Sequence, residues 1–233
     1  MIFASGAGDR LVGVTTFCNY PEAVRSIEKI GDTQTPNIER IIALKPDVVF
    51  VSTASQLEAF MNTLQQQNIA VYVTDPKGIA GVTENLRTLG RLFGTEDEAG
   101  KIADELQSRA AAVDHRVSSG PRPKIFVQIS KEPLFTIGKD AFLTEVIERA
   151  GGESVTKDVP SGFPKLSKET ASAMAPEVII LSDSEDNREP NEVFRKSPAV
   201  VNGRVYKIDA DIISRPGPRL VNALEQIAGF IRK

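Results

Sequence analysis

The chain has 233 residues, 41% of them apolar and 25% charged, the composition of a folded globular protein and not of a disordered segment or a membrane bundle. Lys and Arg number 28 against 31 Asp and Glu, a formal charge of -3 with no basic stripe, which argues against nucleic acid as a partner. One Cys and one His exclude an internal disulfide framework and any metal cage that needs two imidazoles, while carboxylate sites stay open. No apolar run reaches the roughly 18 residues of a membrane helix. The start, MIFASGAGDR, lacks the basic region, apolar run and cleavage site of a secretory signal, so if the native protein is exported this sequence begins after its leader.

In chain order, Val- and Ile-rich runs bounded by Pro, Gly or Asp predict short buried strands at 11–16, 47–52, 70–74, 124–130, 177–182 and 204–208. Helical periodicity falls between them, at 37–44, 56–67, 142–150 and 168–174. Alternation of this kind predicts an α/β protein with parallel sheets. The segment from Thr95, a candidate N-cap followed by Glu96, Asp97 and Glu98, runs helically to about Val117 and stops at Ser118-Ser119-Gly120-Pro121. Ala99, Ile102, Ala103, Leu106, Ala110 and Val113 form its apolar stripe, and about 23 residues at about 1.5 Å each give a rod of about 35 Å. A continuous helix resists bending, so lobes joined by it should keep a largely preformed cleft.

An approximate internal repeat is the strongest feature. Residues 38–51 recur as residues 168–181: in each copy a Glu (Glu39, Glu169) stands seven positions before a Pro (Pro46, Pro176), an Ala three before it, and an acidic residue and a β-rich run follow. Pro ends the helix because it has no N–H and restricts its predecessor, and the chain then enters a strand. Val71-Tyr72-Val73-Thr74-Asp75 is matched in the same order by Val205-Tyr206-Lys207-Ile208-Asp209. Each is followed by a Pro/Gly-containing loop and a helix, containing Leu86 or Leu224, so the sequence predicts two related lobes.

Several passages then acquire meaning together: Gly6 to Val14, Asn19-Tyr20-Pro21, Asn37-Ile38-Glu39-Arg40, Leu44-Lys45-Pro46-Asp47, Phe135-Thr136-Ile137-Gly138, Gly151-Gly152-Glu153 and Arg215-Pro216-Gly217-Pro218-Arg219. In order and spacing they resemble the substrate-binding proteins of ABC importers for large metal chelates (vitamin B12, siderophores, haem), and most of all the cobalamin-binding members. The resemblance implies an α/β fold of the class III periplasmic binding protein type: two Rossmann-like lobes, 1–94 and 121–233, joined by one long backbone helix, 95–120. Relative to that pattern the N-lobe reads as truncated, lacking a strand and the start of a helix. An edge left open in this way predicts a dimer or strand exchange with another copy.

The resemblance also implies a role without catalysis and without an intrinsic cofactor. The protein would bind cobalamin or a related corrinoid and deliver it to an ABC permease dimer, from a periplasmic or membrane-anchored extracytoplasmic location. Tyr20, Phe135, Phe163 and Arg215 fall at positions implied to contact the ligand. Each also admits a packing role, and Arg219 reads as a structural ion-pair residue. Glu39 and Glu169 are implied to dock on Arg residues of a two-fold permease, with matched carboxylates meeting matched guanidiniums; the plainer reading is that each favours the first turn of its helix. The chain has no Trp, where cobalamin binders of the family commonly carry such rings, and Thr33 and Ser52 stand where rings are expected. Phe17 or Phe50 could supply replacement area.

A siderophore or haem receptor is the alternative within the class, and a chelatase-like enzyme the alternative outside it. His115, near the end of the long helix, reads as solvated, Cys18 as a packed thiol, and 183–189 as a solvated acidic loop. Gly6-Ala7-Gly8 lacks the third glycine of a dinucleotide fingerprint and by resemblance ends a helix.

Overall fold

The computed structural model describes residues 1–52 and 58–232. The expected helix at 56–67 therefore begins outside the described residues. In chain order the elements are α1 (Ile38–Ala43), β1 (Val48–Ser52), α2 (Glu58–Gln66), β2 (Ala70–Thr74), α3 (Gly78–Phe93), α4 (Glu96–Val117), β3 (Lys124–Gln128), α5 (Phe142–Arg149), β4 (Glu153–Ser154), α6 (Lys168–Ala173), β5 (Val178–Asp183), α7 (Pro198–Val201), β6 (Val205–Asp209), α8 (Ala210–Ile213) and α9 (Leu220–Ile231). The chain divides into two compact units, Met1–Asp75 with Asn85–Ile102, and Pro76–Glu84 with Ala103–Lys233. Helices α3 and α4 both cross the division, and α4 does so without a break over 22 residues.

In the first unit β1 and β2 pair in parallel, Val48 opposite Ala70 through Ser52 opposite Thr74. A small core forms beneath them, where Ile41 of α1, Leu64 of α2 and Ile69 pack with Ile30, Val49 and Val71. The expected strand at 11–16 does not form. Only Val14 bridges Lys29, with the Val14 N–H donating to the Glu28 carbonyl and Ile30 N–H to the Val14 carbonyl. Gly31 then turns left-handed (φ +86°), so Thr16 N–H finds the Gly31 carbonyl and the ladder loses its register after one bridge.

The second unit contains a four-stranded parallel sheet in the order β4-β3-β5-β6. Its central strands are buried on both faces: Ile125, Phe126, Val127, Val178, Ile179, Ile180 and Leu181 are all 2% exposed or less, as expected where helices cover a parallel sheet. Phe126 and Phe194 meet with ring centroids 4.6 Å apart, over Ala171 of α6.

The apolar stripe of α4 is buried as its spacing predicts, through Ala99, Ala103, Leu106, Ala110 and Val113, while Ile102 is half-buried. Its first half sits tightly on α3, where a Cβ added at Gly90 would come within 2.6 Å of the Ala99 methyl. Its second half is fixed in the second unit by polar groups. Arg109 donates to Glu225 (2.7 and 3.0 Å) and Asn222 (2.7 Å) of α9, and Asp114 accepts from Arg149 of α5 (2.7 Å). The Arg109 guanidinium holds the Glu225 carboxyl below its ordinary range against the opposing pull of burial.

Candidate functional site

The repeat seen in the sequence is also a repeat of local structure. Helix α1 opens on Asn37, whose Oδ1 accepts the Arg40 N–H (2.9 Å), and α6 opens on Ser167, whose Oγ accepts the Thr170 N–H (3.1 Å). Each helix is six residues long. Each ends before a non-glycine residue in the left-handed region, Lys45 (φ +49°) and Ala175 (φ +44°), directly ahead of Pro46 and Pro176. Glu39 and Glu169 consequently occupy the same second helical position, and both are exposed. The Glu169 carboxyl is held below the usual range by its own backbone N–H and by the Ser167 hydroxyl.

Tyr20 lies on the long first-unit loop, 63% exposed, with Phe17 beside it in sequence at 55%. The loop is anchored from beneath. Lys29 Nζ donates to the carbonyls of Cys18 (3.2 Å) and Val24 (3.3 Å), and Val24 is buried. Cys18 is half-buried, and its thiol lies 3.3 Å from the Thr15 hydroxyl. Phe50 offers no free ring: it is half-buried against Tyr72 (5.3 Å) and Phe93 (5.7 Å), so Phe17 is the better source of extra aromatic area. Thr33 and Ser52 are exposed.

In the second unit Phe135 and Phe163 belong to one small antiparallel ribbon beyond the end of β3. Phe135 bridges both Ser130 and Lys165, and the N–H groups of Thr136, Gly138 and Lys139 donate to the carbonyls of Pro164, Gly162 and Val159. Gly138 permits that approach, since an added Cβ would meet the Val159 carbonyl oxygen at 2.6 Å. Phe163 is 45% exposed and rests edge-on against Phe142 (6.5 Å), whereas Phe135 is half-buried. Arg215 lies in the connection from α8 to α9. Its Nη2 donates to Asp211 Oδ1 (2.8 Å), and Arg219 donates to the Asp211 carbonyl (3.1 Å). The ribbon and the Arg215 connection both follow the carboxyl ends of parallel strands, the edge where open α/β sheets carry their ligands.

Phe142 and Asp211, which support Phe163 and Arg215, carry no site signal of their own in the sequence. Only the i, i+4 spacing of Asp211 and Arg215 left a signal for one of them. His115 is exposed, and among the described residues no three His, Cys, Asp or Glu side chains are grouped to hold a metal ion.

The family model for periplasmic binding proteins matches residues 1–212. The chain belongs to the periplasmic binding protein family. A curated member, the ABC transporter substrate-binding lipoprotein YvrC of Bacillus subtilis, is 29% identical over 98% of this chain and 75% of its own length. The periplasmic vitamin B12 binding protein BtuF of Vibrio cholerae is a solved periplasmic binding protein that superimposes with a TM-score of 0.89 at 26% identity, over 99% of this chain and 91% of that one. A possible iron-binding periplasmic solute-binding protein of Staphylococcus epidermidis gives a TM-score of 0.82 at 26% identity, over 100% and 94% of the two chains. Among the described residues no helix is long and apolar enough to cross a membrane.

Proposed function

We propose that this periplasmic binding protein is the substrate-binding component of an ABC importer, capturing cobalamin or a related corrinoid outside the cytoplasm and handing it to the permease without catalysing a reaction. The observation that carries this reading is the whole-chain likeness, in sequence and fold together, to the vitamin B12 binding protein of Vibrio cholerae. Residues 1–94 and 121–233 act as the two lobes and 95–120 as the helix joining them. Tyr20, Phe135, Phe163 and Arg215 are the proposed ligand contacts. The anchoring of the Tyr20 loop and of the Phe163 ribbon supports this, because aromatic surface held ready in the free protein costs little to order on binding. Glu39 and Glu169 are the proposed permease contacts, supported by their identical placement in two structural repeats. Pairing of a second copy along the β1–β2 sheet edge is a separate proposal, which light scattering of a monomer would remove.

The likeness to the Staphylococcus epidermidis protein favours an iron chelate as the second reading. Calorimetric titration with cyanocobalamin, haem and a ferric siderophore separates the two. We expect saturable one-to-one binding of cyanocobalamin alone. Binding of haem or the siderophore alone moves the protein to the second reading, and binding of none of the three overturns both.

A further inference from the structure

Each proposed docking carboxylate has a cation next to it in sequence, Arg40 after Glu39 and Lys168 before Glu169. A surface meant to attract guanidinium groups is weakened by a free cation within a Debye length, about 8–10 Å at physiological salt. In the structure neither cation is free. Arg40 forms a tight ion pair with Glu28, and Lys168 Nζ lies 2.8 Å from Glu132 Oε1. Both partners come from outside the helix and are held in place independently. The Glu28 backbone carbonyl accepts from Val14 N–H (2.9 Å), and the Glu132 carboxylate also accepts from Asn191 Nδ2 (3.2 Å), a buried residue whose own N–H donates to buried Gln128 (2.7 Å).

The internal repeat does not account for these pairs. Arg40 and Lys168 occupy different helical positions, and Glu28 precedes its helix by a short loop while Glu132 sits far upstream of its own, in the turn after β3. Two unrelated arrangements reach the same electrostatic result. We infer that Glu28 and Glu132 are positioning residues for permease recognition: each offsets the cation beside a docking carboxylate, so that the surface around Glu39 and Glu169 presents net negative charge to a partner surface bearing Arg or Lys. The inference rests on the docking role proposed above for the two Glu residues.

The pairs are solvent-exposed, which sets the scale at about a two- to fivefold effect for each. Exposed charges of this kind act mainly on association rate and its salt dependence. The experiment measures association of the full-length, cyanocobalamin-loaded protein with its importer complex in nanodiscs, at several salt concentrations. Glu28→Gln and Glu132→Gln should each slow association about two- to fivefold and flatten its salt dependence, with cyanocobalamin affinity unchanged. Adding Arg40→Gln to the first variant and Lys168→Gln to the second should restore the wild-type rate, which a purely structural role for the pairs does not predict. Glu39→Arg with Glu169→Arg serves as the control. If that reversal abolishes association while Glu28→Gln and Glu132→Gln change nothing, or the second substitutions fail to rescue, the inference is wrong and the docking reading stands. If the reversal itself has no effect, the docking reading falls and takes the inference with it.

Discussion

The two copies of the helix–Pro–strand unit share their local rules and differ in what they are packed against. Both start on a side-chain cap, end on a left-handed residue before Pro and enter a parallel strand. Yet among the described residues β1 has one partner and is mostly half-buried, whereas β5 lies inside a four-stranded sheet with its first five residues buried. The residue under the helix follows this difference. In the first unit the bulky Ile41 fills the space beside Leu64 and Ile69, while in the second the Phe126–Phe194 pair fills it and leaves room only for Ala171. The backbone grammar is therefore local and transferable, and side-chain size is a tertiary decision made separately in each unit.

Exchanging the two core residues is the most severe way to break the comparison. Ile41→Ala removes most of a side chain that is 2% exposed and should cost about 2–5 kcal/mol of first-unit stability. Ala171→Ile forces extra methylenes beneath Phe126 and Phe194 and should cost about 1–3 kcal/mol in the second unit. Hydrogen exchange resolved to β1 and β5 reads the two units separately. Equal tolerance of both substitutions would show that packing does not distinguish the copies. The caps test the shared part of the comparison. Asn37→Ala and Ser167→Ala each leave a first-turn N–H without its side-chain acceptor and should each cost about 1 kcal/mol, read as faster exchange of the Arg40 and Thr170 amides. A loss at one cap only would mean that the copies are alike in sequence without being alike in energetics.

The same division explains what could be read in advance. The helix–Pro–strand order of the repeat, the long helix and the burial of five of its six stripe residues followed from Pro, Gly, capping residues and period alone. The strand expected at 11–16 did not, because its apolar alternation says nothing of whether the partner at 28–31 can stay in register past Gly31. Among the site residues, exposure of Tyr20, Phe163, Glu39 and Glu169 was in keeping with their loop or helix-start positions. The fate of Phe50 was hidden, since its partners Tyr72 and Phe93 come from later elements. The ion pairs of Arg40 and Lys168 were hidden for the same reason: Glu28 and Glu132 lie at unrelated separations, and only the folded chain brings each to its cation.

The smallest effect gives the sharpest form of the comparison. Lys45 and Ala175 carry a Cβ in the left-handed region, a conformation costing roughly 1–2 kcal/mol for an L-residue. Glycine removes that strain but loses more entropy on folding, roughly 0.5–1 kcal/mol, so Lys45→Gly and Ala175→Gly should each stabilise by about 0.5–1 kcal/mol. Side-chain loss differs greatly between the two, a long cation against a methyl, so a packing or charge origin predicts unequal outcomes. Equal gains in denaturant midpoint would assign the strain to the backbone turn that both copies need to deliver Pro46 and Pro176 into their strands. Unequal gains would show that one turn is held by its surroundings, and that the apparent symmetry of the two carboxylate-bearing helices ends at their first turn.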